Sequence, residues 1–288
     1  MERNKKLKQK KLKALHDKYY KNTSKLKYPN VSLYDLIEET AQKYPKNTAY
    51  NYFGKKSNYQ KLIKEIEKCA KALKSMGIRK KDVITICMPN TPEAIITFYA
   101  INKIGAVANM IHPLSAENEI KYYLELSDSR MLITIDLAWS KIENILNNTK
   151  VEKTIVLSVK KSMPILLKTI YSLSKEKKIK MPLYNKKILD WDNFIKKGKN
   201  YSKKTNVHTK ANDIAAILYS GGTTGLSKGI LLSNLNFNAI AIQNLTACPL
   251  KPTDKCLSIM PIFHGFGLRN LYTYNFLFRS NCNYTTRF

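Results

Sequence analysis

The sequence lacks the arrangements that would mark a zinc protein, a secreted protein or a membrane-spanning one. Its five cysteines, Cys69, Cys87, Cys248, Cys256 and Cys282, are odd in number, and none stands in a C-x-x-C pair or near a pair of histidines. That excludes the common zinc spacings, so no metal site is expected, and the cysteines read as reduced thiols of a cytoplasmic compartment. Met1 to Lys27 is basic but has no continuous apolar core of the kind a signal peptide needs. No later window holds about 18 uninterrupted apolar residues, so the expected chain is neither exported nor membrane-spanning.

Acidic residues are also scarce. There are 21 Asp and Glu against 50 Lys and Arg, a formal charge of +29. Such an excess invites a nucleic-acid or anionic-membrane reading, because clustered cations release counterions when they meet phosphates. The lysines, however, are spread along the whole chain among abundant Asn, Ile and Tyr. With no zinc spacing, helix-turn-helix cue or interleaved aromatic-basic repeat, no specific nucleic-acid partner is expected. Peripheral contact with an anionic membrane stays open for two basic stretches, the arm from Met1 to Lys27 and the run Ile165-Leu166-Leu167, Ile170, Leu173 with its lysines. The alternative for both is a solvated helix.

What is present is enough apolar material for a packed core: 44% of the 288 residues are hydrophobic and 10% aromatic. Ser32 is a good cap for the amphipathic run Leu33, Leu36, Ile37, Ala41, which closes at Pro45. Tyr59 to Met76 places Leu62, Ile66, Ala70 and Leu73 on one helical face, with Gly77 after it. Val83 to Met88 then reads as a buried strand, and Thr91-Pro92 as the start of a helix through Ala94, Ile95, Phe98 and Ile101. A short apolar run from Ala106 to Ile111, a helix from Ala116 to Leu126 capped by Ser115, and a strand from Met131 to Ile135 complete a strand-helix alternation. Such an alternation implies an α/β fold with a parallel sheet. Between Lys150 and Lys210 the pattern blurs.

The most informative stretch runs from Asp213 to Leu232: an apolar strand, a polar glycine-rich turn and a second apolar run. Gly221, Gly222 and Gly225 permit backbone conformations that aim successive N–H groups at one anion. Ser220, Thr223 and Thr224 add hydroxyl donors and Lys228 a charge, which together suit nucleotide phosphates. This is not a Walker loop, since Lys228 precedes its glycine and the chain continues as a strand rather than a helix. A glycine-rich hairpin turn would account for the glycines, but not for three hydroxyls and a lysine in one loop.

Tyr219 to Gly229 closely resembles the signature loop of the AMP-forming, adenylate-forming enzymes, which include acyl-CoA synthetases, luciferases and peptide-synthetase adenylation domains. Ser227 stands where most of that family has proline, so a less rigid turn with an intact donor set is expected. A second segment, Met260 to Gly267, resembles the family's aromatic-His-Gly motif. The resemblance implies that Phe263, His264 and Gly265 line the acyl pocket near the substrate carboxylate, with His264 as the catalytic candidate, 36 positions after Lys228. A third, weaker likeness is Ile104-Gly105-Ala106-Val107 with His112-Pro113.

The resemblance implies stacked α/β subdomains with mostly parallel sheets, here an incomplete N-terminal domain of the adenylate-forming ligase fold. The expected division is a basic arm at 1–30, a first α/β subdomain at 31–210, part of a second at 211–288 carrying the phosphate loop, and no C-terminal domain. It also implies the chemistry: a carboxylate attacks the α-phosphate of ATP to give an acyl-adenylate and pyrophosphate, and coenzyme A then displaces AMP. The co-substrates are a carboxylic acid, most simply a fatty acid, ATP with Mg2+, and coenzyme A.

The family's Tyr-Gly-x-Thr-Glu element, its ribose-binding aspartate and its mobile-domain lysine cannot be assigned. Arg269 to Phe288 departs from the family's apolar helix and strand, with Arg269, Asn270, Asn275, Arg279, Asn281 and Asn283. The expectation is therefore a truncated ligase, inactive and poorly stable on its own. A non-catalytic nucleotide-binding remnant that acts as a partner-binding module is the alternative.

Overall fold

The computed structural model describes residues 9–13, 26–174, 179–220, 227–247, 251, 254–269 and 281–284. Residues 9–13 are helical and exposed, and the rest of the basic arm to residue 25 lies outside the described residues. Thr48–Tyr52 (β1) and Lys55–Asn58 (β2) pair as an antiparallel hairpin. A larger sheet takes Val83–Cys87 (β3), Val107–Met110 (β4), Met131–Ile135 (β5), Lys153–Leu157 (β6), Ile188–Asp190 (β7), Ile214–Tyr219 (β8) and Gly229–Ser233 (β9). The order is β7-β6-β5-β3-β4-β8-β9, parallel throughout except for β8 with β9. Lys255–Ser258 (β10) and Asn281–Tyr284 (β11) extend the hairpin in the order β10-β11-β1-β2. Both sheets thus draw strands from either side of residue 210, where the sequence suggested a subdomain boundary.

The central strands are apolar runs because they are covered on both faces, as parallel strands must be. Ile84, Ile86, Leu132 and Ile133 are fully buried. The helices begin where capping residues put them. Leu33–Lys43 (α1) follows Ser32, whose hydroxyl accepts the Asp35 amide at 3.1 Å while the Asp35 carboxylate accepts the Ser32 amide at 3.0 Å, a reciprocal capping box. Tyr59–Ser75 (α2) follows Asn58, whose side chain accepts the Lys61 amide at 2.8 Å, and it buries Leu62, Ile66, Ala70 and Leu73 as their spacing predicts. Pro92–Lys103 (α3) follows Thr91 and is buried on every side, consistent with its nearly unbroken apolar character. Gly105 closes it at φ +71, where an added Cβ would stand 3.0 Å from a Thr209 methyl carbon.

Glu117–Leu126 (α4) corrects one expectation. Its cap is Ala116 rather than Ser115, because the Ser115 amide is engaged by the His112 carbonyl at 3.1 Å and the chain enters the helix one residue later. The Ala116 amide is satisfied instead by the Glu119 carboxylate at 3.2 Å. The blurred stretch after Lys150 resolves into β6 and β7 with helices Ile165–Ser174 (α6) and Trp191–Lys197 (α7), following Trp139–Ile145 (α5). Asn234–Ala247 (α8) returns from β9 toward the N-terminal segment.

Asn234 fastens that return. Its side-chain oxygen accepts the Leu33 amide at 3.2 Å and the Asn102 amide group at 2.8 Å, and its nitrogen donates to the Lys210 and Asp213 carbonyls at 3.2 Å each. Asn102 in turn accepts the Tyr34 amide at 2.9 Å. Two of the amides that α1 leaves without intrahelical partners are thereby satisfied by side chains from distant elements. At 1% exposure Asn234 has no water to replace these bonds. Asn234→Ala should cost about 3 kcal/mol in urea unfolding, since several buried groups lose partners at once, whereas Lys43→Ala at an exposed helix pair should cost less than about 0.5 kcal/mol.

Glu93 and Lys103 are the buried acidic and basic residues of α3. Burial raises the Glu93 carboxyl above the ordinary value, although the Ser162 hydroxyl donates to it. A carboxyl whose folded pKa is raised contributes fully to stability below its unfolded pKa and loses that contribution as pH rises through the folded value. Glu93→Gln should therefore raise the urea midpoint at pH 8, and the gain should shrink as pH is lowered toward 4.5.

Candidate functional site

Three loops leave the carboxyl ends of the neighbouring strands β3, β4 and β8, the position at which open parallel sheets hold ligands. The loop after β8 is the glycine-rich one. The Ser220 amide donates to the Lys228 carbonyl at 3.2 Å, and Tyr219 stands opposite Gly229, so β8 and β9 form a hairpin that clamps both ends of the loop. Ser220 and Lys228 are exposed at its base. Gly221, Gly222, Thr223, Thr224 and Gly225 lie outside the described residues.

The base of this loop is held from the side by α4. The Tyr122 hydroxyl donates to the Ser227 carbonyl at 3.1 Å, and the Tyr123 hydroxyl to the Ser227 hydroxyl at 3.2 Å. Tyr123 also stacks on Tyr219, ring centroids 3.9 Å apart, while the Tyr219 hydroxyl donates to the Tyr123 carbonyl at 3.2 Å. Burial pushes the Tyr219 phenol up to about 12, so at neutral pH it remains a donor. Ser127, Ser129, Thr85 and Asn109 form a buried polar cluster beneath. Asn109 donates to Thr85 at 2.8 Å and to Ser127 at 2.9 Å, and Ser127 reaches the same Tyr123 carbonyl at 2.7 Å. A serine where the family has proline is thus restrained by two tyrosine hydroxyls rather than by a ring.

The segment from Met260 to Gly267 is brought to these loops by Asn90, in the loop after β3. Its buried side chain donates to the Met260 carbonyl at 3.0 Å and accepts the Ile262 amide at 2.8 Å. The segment then turns sharply. The His264 amide donates to the Pro261 carbonyl at 3.0 Å, and an added Cβ on Gly267 would stand 2.0 Å from that carbonyl oxygen, so no other residue fits there. Phe263 packs on His112 from the loop after β4, ring centroids 4.3 Å apart. Gly265 faces Leu218 of β8, its notional Cβ 3.7 Å away.

The two histidines differ. His112 accepts the Leu114 amide on Nδ1 at 2.8 Å, and burial lowers its pKa, so it is neutral with its proton on Nε2. His264 is exposed and accepts the Phe266 amide on Nδ1 at 3.3 Å, which leaves Nε2 for a ligand. Of the expected pocket residues, Gly265 therefore stands beside β8, the strand that leads into the glycine-rich loop, and Phe263 against His112. Asn90, Tyr122 and Tyr123 were not legible as site residues: Asn90 sits in a Pro-Asn-Thr-Pro run that reads as a helix start, and Tyr123 fits the apolar stripe of α4. Among the described residues no group of three or more His, Cys, Asp or Glu is arranged to hold a metal.

The profile of the family described as AMP-binding enzyme matches residues 37–282. The chain belongs to this family. Among its curated relatives, the long-chain-fatty-acid–CoA ligase of Bacillus subtilis (strain 168) is 27% identical over 275 residues, covering 87% of this chain and 45% of the relative. The probable 4-coumarate–CoA ligase 3 of Dictyostelium discoideum is 31% identical over 207 residues, covering 70% and 36%. Among solved structures, a long-chain-fatty-acid–CoA ligase from Archaeoglobus fulgidus superposes with a TM-score of 0.75 at 23% identity, over 91% of this chain and 49% of that one. An anthranilate–CoA ligase solved with anthranoyl-AMP gives 0.74 at 22% identity, over 90% and 46%. The chain thus has the α/β fold of the AMP-binding N-terminal domain and spans less than half the length of these curated relatives.

The tyrosine clamp on Ser227 makes a testable difference within the AMP-binding family. Tyr123→Phe should weaken ATP binding about fivefold, the worth of roughly one hydrogen bond, in a fluorescent-nucleotide titration. Ser227→Pro in the Tyr123→Phe background should restore most of the loss, since the ring supplies the restraint that the hydroxyl no longer does.

Proposed function

We propose that the intact protein activates a carboxylic acid, most simply a fatty acid, with ATP through an acyl-adenylate to its coenzyme A thioester, in the cytoplasm. The observation that supports this most strongly is the convergence of the clamped β8–β9 hairpin with the Met260 to Gly267 turn and the His112 loop at one end of the sheet. In this reading Ser220, Gly221, Gly222, Thr223, Thr224, Gly225 and Lys228 grip the β- and γ-phosphates, and negative charge that develops there meets fixed N–H and hydroxyl donors and one ammonium group. His264 and Phe263, with Gly265, line the space for the acid. His264 Nε2 is the nitrogen free to hydrogen-bond the carboxylate, and it serves to orient that group rather than to form a covalent bond.

Mg2+ travels with the triphosphate in this chemistry and neutralises part of its charge. None of the described residues forms a cluster for it, so no magnesium ligand is assigned to this chain. The coenzyme A acceptor is supported by the relatives, several of which are named as CoA ligases.

ATP–pyrophosphate exchange with a panel of fatty acids tests the proposal. The expected outcome is acid-dependent exchange by the intact protein that falls at least about a hundredfold in Lys228→Ala, as is typical when a group that stabilises charge developing on the leaving pyrophosphate is lost. Saturable ATP binding that is lost in Lys228→Ala, with no exchange for any acid, would replace this proposal with a non-catalytic nucleotide-binding module.

A further inference from the structure

Helix α6 presents to solvent a face that an ordinary surface helix does not have. Its inner side is small: Leu167 and Tyr171 pack with Val159, Met163, Leu137 and Ile179. Its outer side holds Ile165, Leu166, Ile170 and Leu173, exposed by 84, 72, 53 and 74%. Leu166, Ile170 and Leu173 follow at i, i+4 and i+7, so they form one stripe along the helix. Beyond the helix, Met181 and Leu183 are exposed by 47 and 82%. Leaving this much aliphatic surface in water is unfavourable, and contiguous exposed patches of this kind mark contact surfaces.

The charge around the stripe identifies what it contacts. Residues 160 to 187 contain nine lysines and one acidic residue, Glu176. Lys161 pairs with Asp192 and Lys180 with Glu143, each pair half-exposed, and with seven further lysines the segment remains strongly cationic. A second copy of the chain seated here would bring one strongly basic segment against another. A nucleic acid would satisfy the lysines but give Leu166 and Leu173 nothing to bury against, since base recognition on single strands uses aromatic platforms. An anionic bilayer surface takes both parts, with aliphatic side chains in the boundary between headgroups and acyl chains and ammonium groups at the lipid phosphates. No described helix is long and apolar enough to cross a membrane, so the contact is interfacial.

We propose that the outer face of α6 is a docking surface for an anionic lipid bilayer, with Leu166, Ile170 and Leu173 inserted and the surrounding lysines at the headgroups. The inference rests on α6 and the basic stretch that flanks it, and is independent of the ligase reading. The test is sedimentation of the full 288-residue chain with vesicles of phosphatidylcholine alone or mixed in equal parts with phosphatidylglycerol. Binding should require phosphatidylglycerol and weaken as salt rises above about 0.1 M, where screening shortens to about 10 Å. Leu166→Ser/Leu173→Ser leaves the net charge unchanged and should lower the partition coefficient at least about tenfold, because the apolar contribution is lost.

Both positions are exposed, so the circular dichroism of this variant should match that of the parent. Leu173→Trp gives an independent readout, a blue-shifted emission on anionic vesicles. Undiminished binding by the double serine variant, equal binding to phosphatidylcholine alone, or no emission shift in Leu173→Trp would each overturn the proposal. A concentration-dependent dimer in light scattering that the serine variant abolishes, without vesicle binding, would assign the face to a second copy instead.

Discussion

The pairing of β8 with β4 is the contact on which the site depends. Ala108 stands beside Ala216 and Asn109 beside Ile217, which joins two strands more than a hundred residues apart in the chain. That register sets the glycine-rich loop next to the loops after β3 and β4, and the crossover between them is long because parallel neighbours cannot be joined by a tight turn. The same register puts Asn109 beneath the tyrosine clamp, where its amide group ties β3 and the end of α4 into one polar cluster. Site geometry and sheet geometry are here the same constraint.

Much of the fold was legible because the local signals agreed with each other. Ser32, Thr91 and Pro92 start helices where the apolar periodicity begins, and the run Val83 to Cys87 lacks the alternation of a one-sided strand. Legibility failed where the determinant lay elsewhere in the chain. Thr154 to Leu157 is as apolar as β3, but its flanks are rich in lysine, and it is its neighbours β5 and β7 that fix it as a strand. Ser115 has the side chain of a cap and does not serve as one, because its own backbone is already committed to His112. The short strands β7, β10 and β11 are defined by their partners rather than by their residues.

The candidate site divides along the same line. The donor-rich loop and the Phe263-His264-Gly265 run stand out through composition, and the structure sets β8, which leads into the first, beside Gly265 of the second. The residues that hold them in place, Asn90, Tyr122 and Tyr123, announce nothing, since a buried asparagine or an amphipathic tyrosine looks the same in a core as in a support for a loop. Support of this kind is read from hydrogen-bond partners, which the sequence does not order. The family resemblance, strong for the loop, is silent about them for the same reason.

The clamp on Ser227 also changes how the loop responds to its surroundings. A proline restrains a turn by removing conformations from the chain itself, and that effect persists whatever happens nearby. The two tyrosine hydroxyls restrain it through bonds that must be formed, at a cost in side-chain freedom that grows with temperature. The restraint on Ser227 is therefore borrowed from α4, so that heat and strain on a helix outside the hairpin become inputs to the base of the glycine-rich loop.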